Sequence, residues 1–542
     1  MKPPVGVSEG DFAEALRQFE AAIGKQWVFT SDEDVGLYKD AYSPFWGEDE
    51  ERVPSAALAP DSVEQVQAVA RIANRYKIPL YPISTGRNLG YGGSAPAQSG
   101  NVVLDLKRMN RVLEVNERNG YALVEPGVSY FDLYRHIQEK GLKVWIDVPD
   151  PGWGSPMGNA LDRGGGYTTH EYRNHFDAHC GMEVVLADGE ILRTGMGAMP
   201  GSKTWQQYKT GYGPWIDGIF SQSNFGIVTK IGFWLLPEPD AYFSATVTVP
   251  RHADLIPLID TLNYLENSRI CNGMSQLVSP VMGMPAPNDA KPPSAELLAM
   301  ITAATDADNP AALEAHAAKT GTPYWLLELK FYGPAKVLPI QWEFAKERFA
   351  KIPGAQFKDG ELLKLPLSPG KQEQVHQVEF GIPNLTIFGM GARNANNPTP
   401  TDGHQWFSPI IPRTGEAVFE ANKVFRQAGR EFGLPVPPFS IPFCFWERSF
   451  LFLFGFPVTH DPAANRKTRE SFRKLVEIAA EHGWGEYRTA PAYQDLIMKT
   501  YSFNNNALLR FHERLKDAVD PNGILSPGRY GIWPKHLRGS KS

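Results

Sequence analysis

A glycine-rich segment, STGRNLGYGG from Ser84 to Gly93, follows an apolar strand pattern and constrains this chain more than any other segment. A dinucleotide-binding fingerprint spaces its glycines G-x-G-x-x-G and leads into a helix, where the pyrophosphate meets the helix N-terminus. Here the glycines fall at positions 86, 90, 92 and 93, and the residues after them lack a helical pattern. The spacing argues against a Rossmann fold. Two alternatives stay open: a tight turn, or a nest of backbone N–H groups that suits a diphosphate.

The residues around this loop predict a mixed α+β domain rather than a series of βαβ repeats. The segment AALAPDSVEQVQAVARIANRYKIPLYPIS has the pattern of strand, helix and strand, with Asp61 and Glu64 as the expected capping pair of the helix. A strand, NVVLDL, and a hairpin that turns at Asn119 and Gly120 come next. The amphipathic helix after this hairpin is expected to stop at Gly141.

The size and charge of the chain limit its organisation and its ligands. A length of 542 residues exceeds what one hydrophobic core supports, so two domains are the expected minimum. The formal net charge is -6 and no blocks of Lys or Arg occur, which argues against binding to nucleic acid or to a membrane surface. A small soluble ligand is therefore favoured.

The spacing of the cysteines and the length of the apolar segments predict the cellular compartment of the protein. Cys180, Cys271 and Cys444 are too widely spaced for a disulfide framework or a CxxC pair, which favours a reducing compartment. The first residues lack an apolar signal core, and no apolar run approaches the length of a membrane span. We expect a cytoplasmic protein.

Five segments taken in order are more informative than the glycine loop alone. They are PISTGRNLGYGGSAP, YALVEPGVSYFDLY, DPGWGSPMGNALDRGGGYT, QSNFGIVTKIGFWLLP and DPNGILSPGRYGI. Together they resemble the vanillyl-alcohol oxidase / p-cresol methylhydroxylase family of FAD-linked enzymes. The resemblance implies an α+β, two-domain flavoprotein fold with a discontinuous FAD-binding domain, residues 1–240 and 489–542, and an α+β substrate cap domain, residues 241–488. It also implies a homodimer or a higher homo-oligomer.

The resemblance further implies which residues bind the FAD. The residues matched to the diphosphate-binding loop are Gly86, Arg87, Asn88, Gly90 and Gly92. The residues matched to other positions near the cofactor are Gly154, Ser155, Gly158, Asn159, Asn224, Gly226 and Val228. They are mostly small or polar, as expected where backbone approaches a bulky cofactor.

The same resemblance implies a covalent attachment of the flavin. Family members link the flavin 8α-methyl group to a histidine in the oxidases and to a tyrosine in the methylhydroxylase. His404, in TDGHQWFSPI, matches the histidine, whereas Gly391 stands where the methylhydroxylase has its tyrosine. An 8α-histidyl bond through His404 is therefore predicted, with a free histidine beside noncovalent FAD as the alternative.

Four residues match the family's catalytic site. Relatives hold a phenolic oxygen as phenolate between two tyrosines and an arginine, which correspond here to Tyr91, Tyr487 and Arg488. Two O–H donors and a permanent positive charge lower the pKa of a bound phenol. Asp150 matches a carboxylate that the oxidases place near flavin N5, where it acts as a base. Taken alone, an Asp beside Pro is usually a turn residue, and an isolated Tyr-Arg pair is usually structural.

The resemblance at these residues implies an FAD-dependent oxidase of para-substituted phenols: 4-hydroxybenzylic alcohols and 4-alkyl- or 4-allylphenols. In the reaction that the resemblance implies, hydride passes from the benzylic carbon to flavin N5, a para-quinone methide forms, and oxygen reoxidises the flavin to give hydrogen peroxide. The first alternative is a 4-alkylphenol dehydrogenase or methylhydroxylase that passes electrons to a cytochrome. A noncatalytic flavin-binding protein is made improbable by Asp150 and the two-tyrosine site.

A local departure from the family concerns the substrate pocket. Relatives carry Met-His-His in a cap strand that faces the flavin, where this chain has Trp446, Glu447 and Arg448. The hypothesis is that Glu447 and Arg448 form an ion pair that narrows or repolarises the pocket. The alternative, equally consistent with the sequence, is that both charges point away from it.

A cluster of histidines raises a different class of function. His170, His175, His179 and Cys180 lie close together, and two histidines four residues apart share a face when helical. A metal-dependent hydrolase is the corresponding alternative. No HExxH pattern accompanies the cluster, so we expect no metal site.

Overall fold

The structure is a computed structural model that describes residues 2–88, 90–283, 294–386, 403–433, 444–446 and 448–541. None of the helices in these ranges is both long and apolar enough to cross a membrane. The helices are α1 (Glu9–Ile23), α2 (Asp32–Gly36), α3 (Val63–Tyr76), α4 (Tyr130–Glu139), α5 (Pro156–Leu161), α6 (Leu255–Asn267), α7 (Ala295–Asp306), α8 (Ala311–Thr320), α9 (Leu338–Phe349), α10 (Pro369–Gln372), α11 (Gly415–Phe432), α12 (Pro462–Glu481), α13 (Gln494–Thr500) and α14 (Phe503–Val519).

The strands form several separate sheets. Their bounds are β1 (Val28–Phe29), β2 (Ala56–Leu58), β3 (Leu80–Ile83), β4 (Val102–Asp105), β5 (Val112–Asn116), β6 (Tyr121–Val124), β7 (Val144–Trp145), β8 (His179–Val185), β9 (Ile191–Arg193), β10 (Ile227–Trp234), β11 (Leu236–Pro237), β12 (Ala241–Val249), β13 (Gln276–Val278), β14 (Trp325–Gly333), β15 (Gln356–Lys364), β16 (Gly403–Phe407), β17 (Ile410–Pro412), β18 (Cys444–Trp446), β19 (Ser449–Leu451) and β20 (Phe454–Val458). The larger sheets have the orders β1-β2-β4-β3, β5-β6-β10-β8-β9 and β13-β14-β12-β15.

The first sheet presents the glycine loop at its edge. Strands β2 and β3 both run parallel to β4, with Leu80 opposite Val102 and Ile83 opposite Asp105. Because the carboxyl ends of parallel strands meet at one edge, the loop that begins at Ser84 leaves the sheet there. The predicted strand, helix and strand correspond to β2, α3 and β3 and are confirmed.

The start of α3 differs from the prediction. Ser62, rather than the pair Asp61 and Glu64, caps the helix, and its side chain accepts a hydrogen bond from the Gln65 N–H. Asp61 instead pairs with Arg108 at 2.8 Å. A serine hydroxyl satisfies a free N–H of the first turn as well as a carboxylate does, and the capping motif is shifted by one residue.

The second sheet contains the predicted hairpin. Strands β5 and β6 pair antiparallel around Gly120, whose φ of +61° is a left-handed conformation that glycine adopts without strain. Helix α4 follows and ends just before Gly141, as the sequence predicts. Its apolar face packs with β6, β8 and β10 into one core.

The end of the chain packs against its beginning. Ile524 and Leu525 belong to the same buried cluster as α1, α3 and the first sheet, and Leu525 forms a parallel bridge with Leu80. Strands β12 to β15 and helices α6, α9, α11 and α12 build a separate core that is rich in phenylalanine. The cavity described next is lined by residues from distant parts of the chain, among them Leu106 and Leu451.

Candidate active site

One cavity of about 300 Å³ brings together most of the residues singled out in the sequence. Its lining includes Gly86, Arg87, Asn88, Tyr91, Asp150, Gly154, Ser155, Gly158, Asn159, Asn224, Gly226, Val228, Tyr487 and Arg488. These residues come from the glycine loop, from the segment around α5, from the start of β10 and from the segment that follows α12. Segments far apart in the sequence thus converge on one site.

The glycine loop is a tight structure that requires its glycines. A Cβ atom on Gly92 would lie 2.2 Å from Cδ of Pro491, and one on Gly90 would lie 2.6 Å from Cδ1 of Trp406. Both glycines have positive φ angles, +113° and +73°. A larger residue at either position meets strain and steric overlap together. The loop is therefore held against the segments that carry Trp406 and Pro491.

The side chains of the loop make different contacts. Arg87 stacks its guanidinium over the Trp153 ring, with 4.9 Å between Cζ and the ring centroid. The Asn88 amide donates to the Asp162 carboxylate at 2.6 Å, so this side chain is engaged with protein. The Asn88 carbonyl accepts the Tyr91 N–H at 3.1 Å.

Tyr91, Tyr487 and Arg488 lie together in the cavity. The Cζ atom of Arg488 is 3.7 Å from the centroid of the Tyr91 ring and 5.6 Å from that of Tyr487. A guanidinium at such distances from aromatic rings is stabilised by a cation–π interaction, which fixes its plane. The Arg488 Nε atom is buried and has no hydrogen-bond partner among the described residues. A positive charge and two phenol groups thus line one part of the cavity.

The backbone around this group is anchored. Gln222, which also lines the cavity, donates from Nε2 to the Tyr487 carbonyl at 2.9 Å. Gln222 has a φ of +47°, a conformation that a non-glycine residue seldom adopts. The Tyr91 hydroxyl lies 3.5 Å from Oγ of Ser408. Sequence reasoning missed Gln222, because nothing in its local pattern indicates a contact with a residue so distant in the chain.

Asp150 lines the same cavity. Its Oδ1 atom is buried and has no hydrogen-bond partner within the described parts of the chain. Burial raises the pKa of the Asp150 carboxyl, although a hydrogen bond from Tyr167 and the charge of His376 oppose the shift. A carboxylate with a raised pKa binds a proton more strongly than an ordinary Asp. Asp150 is thus suited to general-base chemistry.

His404 lies beside the cavity, on strand β16. Its ring is 4.5 Å from the ring of Trp406, which lines the cavity, and 5.3 Å from that of Tyr42. The His404 Nε2 atom is buried and makes no hydrogen bond with any described residue. Burial lowers the pKa of His404 to about 4. At neutral pH the imidazole is therefore uncharged, and a ring nitrogen keeps its lone pair.

The structure describes only part of the segment that differs from the family's Met-His-His. Trp446 ends strand β18, and Glu447 lies outside the described residues, as does Gly391. The Arg448 side chain is exposed. The ion pair between Glu447 and Arg448 therefore stays a hypothesis from the sequence.

Two histidines of the cluster pair with different aspartates. His175 Nε2 pairs with Asp147 at 2.8 Å, and His179 Nε2 pairs with Asp217 at 3.0 Å. In the ranges that the structure describes, no group of three or more His, Cys, Asp or Glu side chains is arranged to hold a metal ion. The His175 ring also contacts the Asn159 carboxamide, at 2.6 Å.

The donor set of the cavity fits a large, partly polar cofactor. Asn224 donates to the carbonyls of Ser526 and Ile532, and its Oδ1 atom is buried with no partner in the described chain. Asp150, Asn224 and Arg488 line the cavity, and His404 lies beside it. Each of these four residues carries a buried polar atom with no partner in the described chain. Buried polar atoms are normally hydrogen-bonded, so a bound polar group is expected here.

Comparison with known proteins defines the class. A family model described as FAD binding domain matches residues 54–195. The flavoprotein subunit of 4-cresol dehydrogenase [hydroxylating] from Pseudomonas putida is 34% identical over 534 residues, which cover 98% of this chain and 97% of that protein. The protein is therefore an FAD-dependent oxidoreductase with an FAD-binding domain and a cap domain.

Two solved structures extend the similarity over the whole chain. The structure of p-cresol methylhydroxylase with substrate bound has a TM-score of 0.79 and 32% identity, and covers 98% of this chain and 99% of that one. The isoeugenol complex of 4-ethylphenol oxidase from Gulosibacter chungangensis has a TM-score of 0.78 and 35% identity, with coverage of 99% and 100%. The chain belongs to the vanillyl-alcohol oxidase / p-cresol methylhydroxylase family. The α+β, two-domain fold inferred from the sequence is confirmed.

Proposed function

We propose that this protein is an FAD-dependent oxidase of para-substituted phenols, such as 4-alkyl- and 4-allylphenols and 4-hydroxybenzylic alcohols. The observation that supports it is the stacking of Arg488 on Tyr91, next to Tyr487, in the cavity that also contains Asp150. Relatives named for 4-cresol and 4-ethylphenol carry out phenol oxidation on the same fold. The proposal assigns a separate task to each of these four residues.

Tyr91, Tyr487 and Arg488 bind the phenolic oxygen. Their O–H and N–H groups donate hydrogen bonds to an anion, and the guanidinium adds a permanent positive charge. Both effects stabilise the phenolate relative to the phenol and lower the pKa of the bound substrate. A phenolate increases the electron density at the para carbon, which makes a hydride easier to remove from the benzylic position.

Asp150 acts as the general base near the benzylic carbon. The loss of a hydride from the phenolate leaves a neutral para-quinone methide, and the addition of water to it releases a proton. The Asp150 carboxylate is placed to accept that proton, since burial makes it a stronger base than a solvated Asp. FAD, when bound, would accept the hydride at N5 and would pass two electrons to oxygen, with hydrogen peroxide as the product.

The small and polar residues of the lining, together with Gly90 and Gly92 of the glycine loop, hold the FAD. We assign the diphosphate to the loop residues Gly86, Arg87, Asn88, Gly90 and Gly92. The other residues assigned to the cofactor are Gly154, Ser155, Gly158, Asn159, Asn224, Gly226 and Val228. The cap comprises residues 241–488, and the segments 1–240 and 489–542 form the FAD-binding domain.

His404 is proposed to carry the flavin covalently through the 8α-methyl group. Its buried, uncharged ring with an unpartnered nitrogen is the form that attacks an electrophilic carbon. We expect the denatured wild-type protein to retain flavin fluorescence on a denaturing gel, and the His404→Ala protein to lose it. A wild-type band without fluorescence would leave noncovalent FAD as the only form.

The electron acceptor is the point on which the alternatives differ. The relative from Pseudomonas putida is named a dehydrogenase flavoprotein subunit, which favours an electron acceptor other than oxygen. Asp150, the residue implied for the oxidase branch, favours oxygen. We expect turnover of 4-ethylphenol in air to form hydrogen peroxide in amounts close to the phenol consumed. Turnover that needs an added cytochrome or dye and yields no peroxide would support the dehydrogenase instead.

Two further proposals concern assembly and location. A homodimer or a higher homo-oligomer is proposed from the family, and light scattering coupled to size-exclusion chromatography measures it. Cys180 and Cys271 are buried free thiols, in keeping with the proposal of a reducing cytoplasmic compartment.

A further inference from the structure

Asp162 lies next to the phenol-binding group and belongs to neither set of residues assigned above. It follows α5, is 5% exposed and lines the cavity. Its carboxylate accepts hydrogen bonds from the Asn88 amide at 2.6 Å and from the Arg529 guanidinium at 2.9 Å. It also accepts a hydrogen bond from the Tyr530 hydroxyl. The glycine loop and the C-terminal segment are thus joined through one buried anion.

Arg488 contacts the backbone of the same residue. Its Nη1 atom donates to the Asp162 carbonyl oxygen at 3.4 Å. Burial alone would raise the pKa of the Asp162 carboxyl, but the charges of Arg529 and Arg488 hold it below its ordinary value, together with hydrogen bonds from Tyr530 and Asn88. Asp162 is therefore ionised at neutral pH and is the shared counter-ion of both guanidinium groups.

The charged groups around Asp162 carry a net positive charge. Two guanidinium groups face one carboxylate, so one positive charge remains for an anionic ligand. The other titratable groups at this junction are tyrosines and one carboxyl. The Tyr81 hydroxyl accepts a hydrogen bond from Arg529, the Tyr530 hydroxyl donates one to Asp162, the rings of Tyr91 and Tyr487 lie against Arg488, and the charge of Asp40 acts on Tyr81. Asn88 and Tyr530 complete the contacts but carry no charge at neutral pH.

We infer that Asp162 is a positioning residue whose negative charge limits how strongly the Tyr91, Tyr487 and Arg488 group favours phenolate over neutral phenol. This inference rests on the proposed phenol oxidation. A buried unit charge acts through a low effective dielectric, so the carboxylate offsets part of the field of Arg488 without touching the substrate. With the Asp162 charge present, the site binds a phenolate product less tightly than it would without that charge, so the product can leave after the reaction.

A pair of variants tests the inference with opposite signs. In Asp162→Asn, one negative charge is lost and the side-chain shape is kept, so the pKa of a bound phenol should fall by about one unit. In Arg529→Gln, one positive charge is lost, so the same pKa should rise by a similar amount. The measurement is a titration of each FAD-loaded protein with 4-hydroxyacetophenone, a non-oxidisable phenol, at a series of pH values, following the phenolate absorbance.

Tyr530→Phe serves as the matched control. It removes one hydrogen bond from Asp162 and keeps every charge, so the pKa of the bound phenol should stay at the wild-type value. Flavin content is measured for each variant. Damage to packing alone would change flavin content in all three variants and would not shift the pKa in opposite directions.

The outcomes separate this inference from the proposed function. Shifts of the same sign in Asp162→Asn and Arg529→Gln, or no shift in either, would overturn the role of Asp162. If Asp162→Asn does not fold, Arg529→Gln decides alone. A pKa of the bound phenol that does not rise in Arg529→Gln would then overturn the role of Asp162. If 4-hydroxyacetophenone and other para-substituted phenols leave the wild-type spectrum unchanged, the proposed function fails instead.

Discussion

Replacing Arg488 by Ala is expected to slow the reduction of the bound flavin by 4-ethylphenol about 100- to 1,000-fold, the usual effect of removing one group that stabilises an oxyanion. The guanidinium stacks on Tyr91 and lies close to Tyr487, so its loss removes the positive charge that we propose favours phenolate. The neutral phenol is a poor hydride donor. The measurement is anaerobic stopped-flow absorbance of the flavin after mixing with substrate.

The control for this variant is Arg488→Lys. Lysine keeps the charge but not the planar group that stacks on Tyr91, so we expect an intermediate rate. Reoxidation of the reduced flavin by oxygen should change little in either variant. Equal losses in reduction and in reoxidation would contradict a role in phenolate binding and would indicate general damage to the flavin site.

Replacing Asp150 by Asn is expected to lower kcat about 100- to 10,000-fold, the range typical of a lost general base. Asn has the same shape but accepts no proton at neutral pH, and phenol binding should remain within a few-fold of wild type. The raised pKa of Asp150 also predicts the pH dependence. Wild-type kcat should fall on the acidic side, at a pH above the ordinary pKa of Asp, because the carboxylate becomes protonated there.

The control for Asp150 is Asp150→Glu, which keeps a carboxylate and should retain more activity than Asp150→Asn. Steady-state turnover of 4-ethylphenol from acidic to neutral pH measures both effects. An Asp150→Asn enzyme that keeps the wild-type kcat and the same acidic limb would contradict the assigned role.

The local fold around the glycine loop could be predicted because its signals lie in short stretches. Periodic apolar residues specify α3 and α4, and Asn119 and Gly120 specify the hairpin between β5 and β6. The sequence predicts the pair Asp61 and Glu64 as the cap of α3, whereas Ser62 caps it. Several polar residues compete at a helix start, and one residue separates Asp61 from Ser62.

The cavity itself could be predicted only through the family resemblance. Tyr91 and Arg488 are far apart in the sequence, and neither periodicity nor spacing indicates that they stack. Asp162 was missed although it lies in a segment that carried the resemblance. Its role depends on Arg529 near the end of the chain, and such pairing becomes visible only in three dimensions.

The central claim is that this protein removes a hydride from the benzylic carbon of a bound phenolate. Anaerobic mixing of the FAD-loaded protein with 4-ethylphenol, and with the same phenol carrying deuterium at the benzylic carbon, tests it most directly. We predict loss of the visible flavin absorbance with both substrates and a slower loss with the deuterated one. Flavin that stays oxidised with 4-ethylphenol and with other para-substituted phenols would contradict the claim.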